Sequence, residues 1–273
     1  QVDFFTIEGK GISGYLRNVP RLRRHLKKNC YDVIHGHYSD SALAATLSGA
    51  HPVVTSLMGS DLHGPLWIRG FANLMGRLRW KATIVKSKRM LNLVRIPGAL
   101  VIPNGVDFSH FRPQNKIIAR QRVGFNSKRH IIFVADPTRM EKNFELAKEA
   151  TALLEGDDIE LNVVSKVDLK IMPDYMNAAD VLLLTSLREG SPNVVKEAMA
   201  CNLPVVSTDV GDVGYVIEGT YGCYITSFDP EDVAKKIQLA LMRGGRTEGR
   251  RKIHHLDSQV IARKLIQVYE SVI

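Results

Sequence analysis

Cysteine is scarce in this chain of 273 residues. Cys30, Cys201 and Cys223 are odd in number and lack the paired spacing of a zinc site, so neither a disulfide scaffold nor a structural metal knuckle is indicated. Three scattered thiols fit a reducing compartment, and the cytoplasm is the expected location. No apolar run approaches the roughly 20 residues that a bilayer-spanning helix needs. Low-complexity tracts and solenoid-type repeats are also missing. No secretory signal is present, but the chain opens on Gln1 rather than methionine, so targeting is not read from that end. What remains is an ordinary globular composition, 45% hydrophobic and 24% charged, long enough for one large or two small domains.

Charge is abundant and unevenly placed. Residues 1–130 hold 21 Lys+Arg against 6 Asp+Glu, leaving 16 basic against 22 acidic in the remainder. A basic first half is suited to an anionic surface such as lipid headgroups, a polyprenyl pyrophosphate or nucleic acid; the alternative is a solvated basic face without a partner. No RNA- or DNA-recognition module is visible, so nucleic acid is not expected.

Hydrophobic periodicity lays out strands alternating with helices. Val2–Ile7 reads as a strand, 13–28 as a helix with a basic stripe (Arg17, Arg21, Arg24, Lys28), and Tyr31–His37 and Pro52–Leu57 as strands. Pro20 kinks that helix or marks a late start. Ser41–Leu47 and the basic stretch Trp67–Trp80 read as helices, with strands at Ala82–Lys86 and Val101–Asp107. The pattern restarts at Ile131–Ala135. It continues through helix 143–155, strand 160–164, strand 181–187, helix 192–201, strand 204–208, a short strand near 223–225 and helices 231–242 and 257–272. This alternation predicts two doubly wound, Rossmann-like α/β domains with parallel sheets and ligands at the carboxyl ends of the strands.

The most informative stretch is Glu189-Gly-Ser-Pro-Asn-Val-Val-Lys-Glu197, between the apolar run 181–187 and a helix. Ser191 is suited to cap that helix and Pro192 to open it. The N–H groups of Asn193, Val194 and Val195 then form an anion cradle at the strand end, with Gly190 in the loop before it. One carboxylate precedes the cradle and the other follows about two helical turns later. A ligand with a central phosphate and hydroxyl-bearing rings at both ends, such as a nucleotide-sugar, fits that arrangement; a capped helix with two solvated glutamates is the plainer alternative.

Together with Ala179-Asp180 before it and Pro204-Val-Val206 after it, this stretch resembles the donor half of retaining glycosyltransferases of family 4, whose E-x7-E signature Glu189 and Glu197 match. Asp32-Val-Ile-His-Gly-His37 is similar to a strand of the family's acceptor domain, and Val101–Asp107 to its interdomain segment. The resemblance implies the GT-B fold, two Rossmann-like domains facing a cleft. The expected division is 1–108 on the acceptor side, incomplete at its start by about one βαβ unit of roughly 30 residues, and 109–256 on the donor side. The last helix, 257–273, is a candidate to pack back onto the first domain.

The same resemblance assigns site residues. Lys142 matches the lysine that holds the donor pyrophosphate. Ala135-Asp136 stands where glycine-arginine is expected, and Arg139 is the candidate second cation or else a surface residue. Glu189 is expected to contact the transferred sugar, and Glu197 the ribose hydroxyls. Thr208 opens a loop that either closes the donor pocket or is a plain turn. Asp61 is a candidate for orienting sugar or acceptor hydroxyls beside Met58, where relatives often carry histidine. His35 and His37 form a His-x-His more suited to packing or cleft lining than to a metal, for which no third ligand is evident. The implied activity is transfer of a sugar from a nucleoside diphosphate to a glycan or polyprenyl-linked acceptor, with retention and without a metal or other cofactor. An incomplete nucleotide-sugar-binding module with a basic, membrane-docking half is the competing expectation. Either protein would be peripheral on the inner face of the cell membrane.

Overall fold

The computed structural model describes residues 1–273 except 10, 64 and 65, and of 12 and 63 only the backbone. The chain divides into two compact units, one of residues 1–103 with 262–273 and the other of residues 104–261. Each is a parallel sheet with helices between successive strands, as the alternation of patterns predicts.

In the first unit, β1 (Ile34–His37), β2 (Val53–Ser56), β3 (Ala82–Val85) and β4 (Leu100–Val101) lie side by side in that order, all parallel. Every residue of β2 is buried, the mark of a strand covered on both faces. Leu22, Ala42, Val53, Leu57, Trp80, Val85 and Met90 form its core. Gly36 in β1 is required by packing: a Cβ there would lie 2.6 Å from the Cα of Ala42 in the helix Ser39–Leu47. The final helix, Ser258–Glu270, contributes Tyr269, whose hydroxyl is 2.6 Å from His35 Nδ1, while His35 Nε2 meets Ser56 Oγ at 2.9 Å.

Two expectations need correction in this unit. Val2–Ile7 is not a strand: among the described residues none pairs with it in a ladder, and Phe4 is 92% exposed. Phe5 instead packs against His25, with the Arg21 guanidinium over its ring. Pro20 does not mark a late start: its helix runs Gly11–Lys28 with the proline inside it.

The second unit orders its strands β6 (Ile159–Val163), β5 (Arg129–Phe133), β7 (Val181–Leu184), β8 (Val205–Thr208) and β9 (Tyr224–Thr226), again all parallel. Ile131, Phe133, Leu146, Val181, Leu183, Val206, Val233 and Ile237 make its core. Asp180, just before β7, is a structural latch: it accepts from Arg120 at 2.8 Å and from the His130 amide at 2.7 Å, and also pairs with Lys116. The chain steps from β5 outward to β6, then returns to place β7 on the other side of β5. That reversal is a topological switch point, where doubly wound sheets open a crevice beyond their carboxyl ends.

Candidate functional site

The loops leaving β5 and β7 meet at this switch point. After β5 the chain makes a short 3-10 turn, Met140–Lys142, and Asn143 adopts φ 51° before the helix Phe144–Ala152. The loop after β7 fixes that turn in place. The Thr185 hydroxyl bonds the carbonyls of Lys142 (3.0 Å) and Asn143 (2.8 Å), and the Leu187 amide donates to Glu141 O at 2.9 Å. Lys142 Nζ then reaches Glu189 Oε1 at 2.5 Å, and Ser186 Oγ donates to the same oxygen at 2.8 Å. Two residues 47 apart in sequence thus form one partly buried, charge-assisted pair at the sheet's carboxyl edge.

The loop after β8 closes on the same place. The Thr208 hydroxyl donates to Ser186 O at 2.7 Å. Gly211, at φ 58°, passes so close to Gly190 that a Cβ would sit 2.8 Å from its carbonyl oxygen. Either property alone favours glycine there.

The helix that supplies the backbone amides begins at Asn193, with Pro192 in the cap position and no side-chain cap. Ser191 is therefore not the capping side chain. Its hydroxyl donates to Asp212 Oδ2 at 2.7 Å and accepts from Lys196. Lys196 is fully buried and lies 3.2 Å from the same Asp212 oxygen. Burial pulls the Lys196 ammonium below its usual range while the carboxylate opposes that shift. This Ser191–Lys196–Asp212 cluster welds the loop before the helix to the loop after β8. Asp212 Oδ1 is left buried without a hydrogen-bond partner. The N–H groups of Asn193, Val194 and Val195 occupy the first helical turn, which carries no acidic residue of its own.

Glu197 lies a little over one turn into this helix, and burial pushes its carboxyl up to about 7, with His110 acting weakly in the opposite sense. His110 is held by a turn around Asp107, which accepts from the amides of Ser109 and His110. Its Nε2 is 3.0 Å from Leu169 O.

Arg139 does not join the Lys142–Glu189 pair. Its guanidinium lies on Glu141 Oε1, with Nη2 at 2.5 Å, and its side chain is more than half exposed. Asp136 binds the Thr138 amide and hydroxyl, which hold its carboxyl below the usual range, and Lys166 Nζ is 3.9 Å away. Lys166, directly beyond the end of β6 at φ 56°, is a further cation on this edge that sequence reading overlooked. Its position after a parallel strand was the available signal.

In the first unit Asp61 is buried and fully engaged: Oδ1 accepts from the Ser39 amide and hydroxyl, and Oδ2 from the Met58 amide, all at 2.7 Å. Its carboxylate fastens the loop after β2 to the start of the helix Ser39–Leu47. His35 is a neutral hydrogen-bonding residue, pushed down to about 3 by burial and by the nearby His37 and Lys86 charges. Among the described residues, no group of three or more His, Cys, Asp or Glu is arranged to hold a metal.

Known proteins resemble this chain in sequence and in architecture. Residues 2–110 match the model for Glycosyltransferase Family 4, and residues 128–243 the model for Glycosyl transferases group 1. This chain belongs to the family 4 type of glycosyltransferases, with the GT-B fold. A teichuronic acid biosynthesis glycosyltransferase of Bacillus subtilis is 29% identical over 67% of the family 4 chain and 54% of its own length. An Escherichia coli UDP-Gal:alpha-D-GlcNAc-diphosphoundecaprenol alpha-1,3-galactosyltransferase is 23% identical over 80% and 68%. The chain spans about half the length of the first of these. Among solved structures, sucrose-phosphate synthase from Thermosynechococcus elongatus superposes with a TM-score of 0.80 at 17% identity, covering 95% of this chain and 78% of that one. Anabaena HepE, solved with UDP and glucose, gives 0.75 at 16% identity over 93% and 81%. At such identities the structures speak for the fold.

Proposed function

We propose that this chain carries the donor site of a retaining glycosyltransferase that moves a sugar from a nucleoside diphosphate to a hydroxyl of a glycan or lipid-linked acceptor. The observation that carries the reading is the Lys142–Glu189 pair at the switch point, beside the free amides of the helix Asn193–Ala200. In this assignment Lys142 and those amides receive the charge that develops on the departing diphosphate. Glu189 binds hydroxyls of the transferred sugar, and Glu197, once ionised, accepts from both ribose hydroxyls. The acceptor oxygen forms a bond to the anomeric carbon as the bond to the diphosphate oxygen breaks. The acceptor's proton passes to the diphosphate, which leaves as the nucleoside diphosphate. The protein side chains supply this charge stabilisation without a metal.

Arg139 enters this scheme only by leaving Glu141, and Lys166 is the better placed second cation because Asp136 beside it already marks the crevice edge. Asp61 acts as a positioning residue for its loop. Support for a uridine nucleotide comes by analogy from HepE, solved with UDP-glucose, and support for a lipid-linked acceptor from the Escherichia coli relative. We place the protein at the cytoplasmic face of the cell membrane.

The test is a thermal-shift screen of nucleoside diphosphates and nucleotide-sugars, followed by transfer assays with the stabilising donor and NMR of the product anomer. Stabilisation by one nucleotide and a product retaining the donor's anomeric configuration are expected. An inverted product would refute retention, and stabilisation without transfer to any acceptor would assign the chain to a binding module instead.

A further inference from the structure

The helix Leu66–Leu78 is apolar on two sides. One side, with Ala72 buried and Met75 half-buried, faces the first unit's own core. The other carries Trp67, Phe71, Leu74 and Leu78, spaced four, three and four residues apart and therefore aligned in one stripe along the helix. Most of that stripe faces solvent: Trp67 is 59% exposed, Leu74 54% and Leu78 68%, with Leu66 at its start 74% exposed, while Phe71 between them is half-buried. A contiguous stripe of this kind is an interaction surface rather than a scatter of single apolar residues.

The sequence around it is charged in one sense only. From residue 62 to residue 106 there are eight lysines and arginines and no aspartate or glutamate. Arg77, Arg79 and Lys81, at the end of the helix and just past it, are exposed beside the stripe. At 13 residues the helix extends only about 20 Å. It is too short to cross a bilayer, and no described helix is long and apolar enough to do so.

We propose that this helix lies in the plane of an anionic bilayer, with Trp67, Phe71, Leu74 and Leu78 among the acyl chains and Arg77, Arg79 and Lys81 at the phosphate level. An apolar stripe combined with a one-signed basic rim is what an interfacial helix requires, and an aromatic ring such as Trp67 favours the headgroup boundary. A protein partner or a second copy would cover the apolar stripe equally well. Neither explains a flank of 45 residues stripped of every carboxylate, whereas a negatively charged lipid surface does. This docking surface stands independently of the donor-site assignment.

Flotation with vesicles of one-third phosphatidylglycerol in phosphatidylcholine tests it, alongside phosphatidylcholine alone. Binding to the anionic vesicles only is expected, weakening about fivefold for each of Arg77→Gln and Arg79→Gln. Leu74→Ser with Leu78→Ser should weaken it by roughly tenfold or more. Arg77 Nε also donates to Arg95 O at 2.6 Å, so circular dichroism checks that each variant melts with the parent protein, and Arg79→Gln reads the charge without that bond. The chain has two tryptophans, and Trp80 is buried. Vesicles should therefore shift emission to the blue through Trp67, and the shift should vanish in Trp67→Phe. Absence of vesicle binding would overturn the proposal, as would binding unchanged in both sets of variants. So would a concentration-dependent dimer, formed without lipid, that Leu74→Ser abolishes.

Discussion

Replacing Lys196 by methionine should cost far more stability than a helix lysine normally carries. Its ammonium is fully buried 3.2 Å from Asp212 Oδ2 and bonded to Ser191. Without it, Asp212 keeps only the Ser191 hydroxyl, and its other oxygen already lacks a partner. Breaking a buried pair by removing one member costs about 3–5 kcal/mol, mostly from the stranded charge. At about 2–4 °C per kcal/mol for a unit of this size, calorimetry should show a fall of roughly 6–20 °C in the second unit's Tm. Asp212→Leu should do comparable damage by stranding the ammonium. The double variant Lys196→Met with Asp212→Leu should recover most of the loss, since an apolar pair of similar volume replaces a buried ion pair at little net cost. Single variants that lose less than about 1 kcal/mol, or a double variant worse than either single one, would show that Lys196 and Asp212 do not act as a coupled buried pair.

Two pH effects follow from burial. Glu197 sits near 7 in the free protein and must ionise to accept both ribose hydroxyls, so nucleotide binding releases its proton. Affinity relative to Glu197→Gln should therefore fall by up to about tenfold per pH unit below 7 and level off above it. Calorimetry in two buffers measures this, and a constant ratio across that range would contradict it. His35 is held neutral, near 3, between Tyr269 and Ser56, and takes up a proton near 6.5 once unfolded. The unfolded chain binds the extra proton between those values, so the first unit should lose stability as pH falls from about 6.5 toward 3. His35→Asn should flatten that dependence in urea denaturation, and an unaltered slope would exclude His35 as its source. Gly211→Ala should weaken nucleotide binding, because its new Cβ must push the Gly190 carbonyl away from the loop that carries Glu189. Unchanged affinity would show that the close approach of the two loops is incidental.

Features that depend on neighbouring residues were legible in the sequence. The buried runs 131–133 and 181–184 read as strands because burial on both faces leaves no polar alternation to confuse them. The Glu189–Glu197 stretch read as a strand-to-helix turn because proline fixes φ and glycine admits tight turns, both local effects. Long-range pairing was not legible. Ser191 looked like a cap because its true partner, Asp212, lies 21 residues on. Nothing in the sequence marks Lys196 as buried, because its burial depends on packing against loops distant in the chain. Val2–Ile7 had a strand's composition, but a strand also needs an edge to pair with, and composition cannot supply one. Arg139 shows the same limit on a smaller scale: only geometry reveals that Glu141, two residues away, occupies it.

In the proposed function, Lys142 at the switch point between β5 and β7 holds the donor diphosphate. Titration calorimetry of nucleoside diphosphate into the parent protein, Lys142→Ala and Glu189→Gln tests it most directly. Losing one charge-assisted contact worth about 1.5–3 kcal/mol should weaken binding to Lys142→Ala by roughly 10- to 150-fold. Glu189→Gln should keep its nucleoside diphosphate affinity within about threefold, the range of a neutral change, while losing sugar transfer. Equal affinity in the parent protein and Lys142→Ala would exclude Lys142 from the diphosphate site.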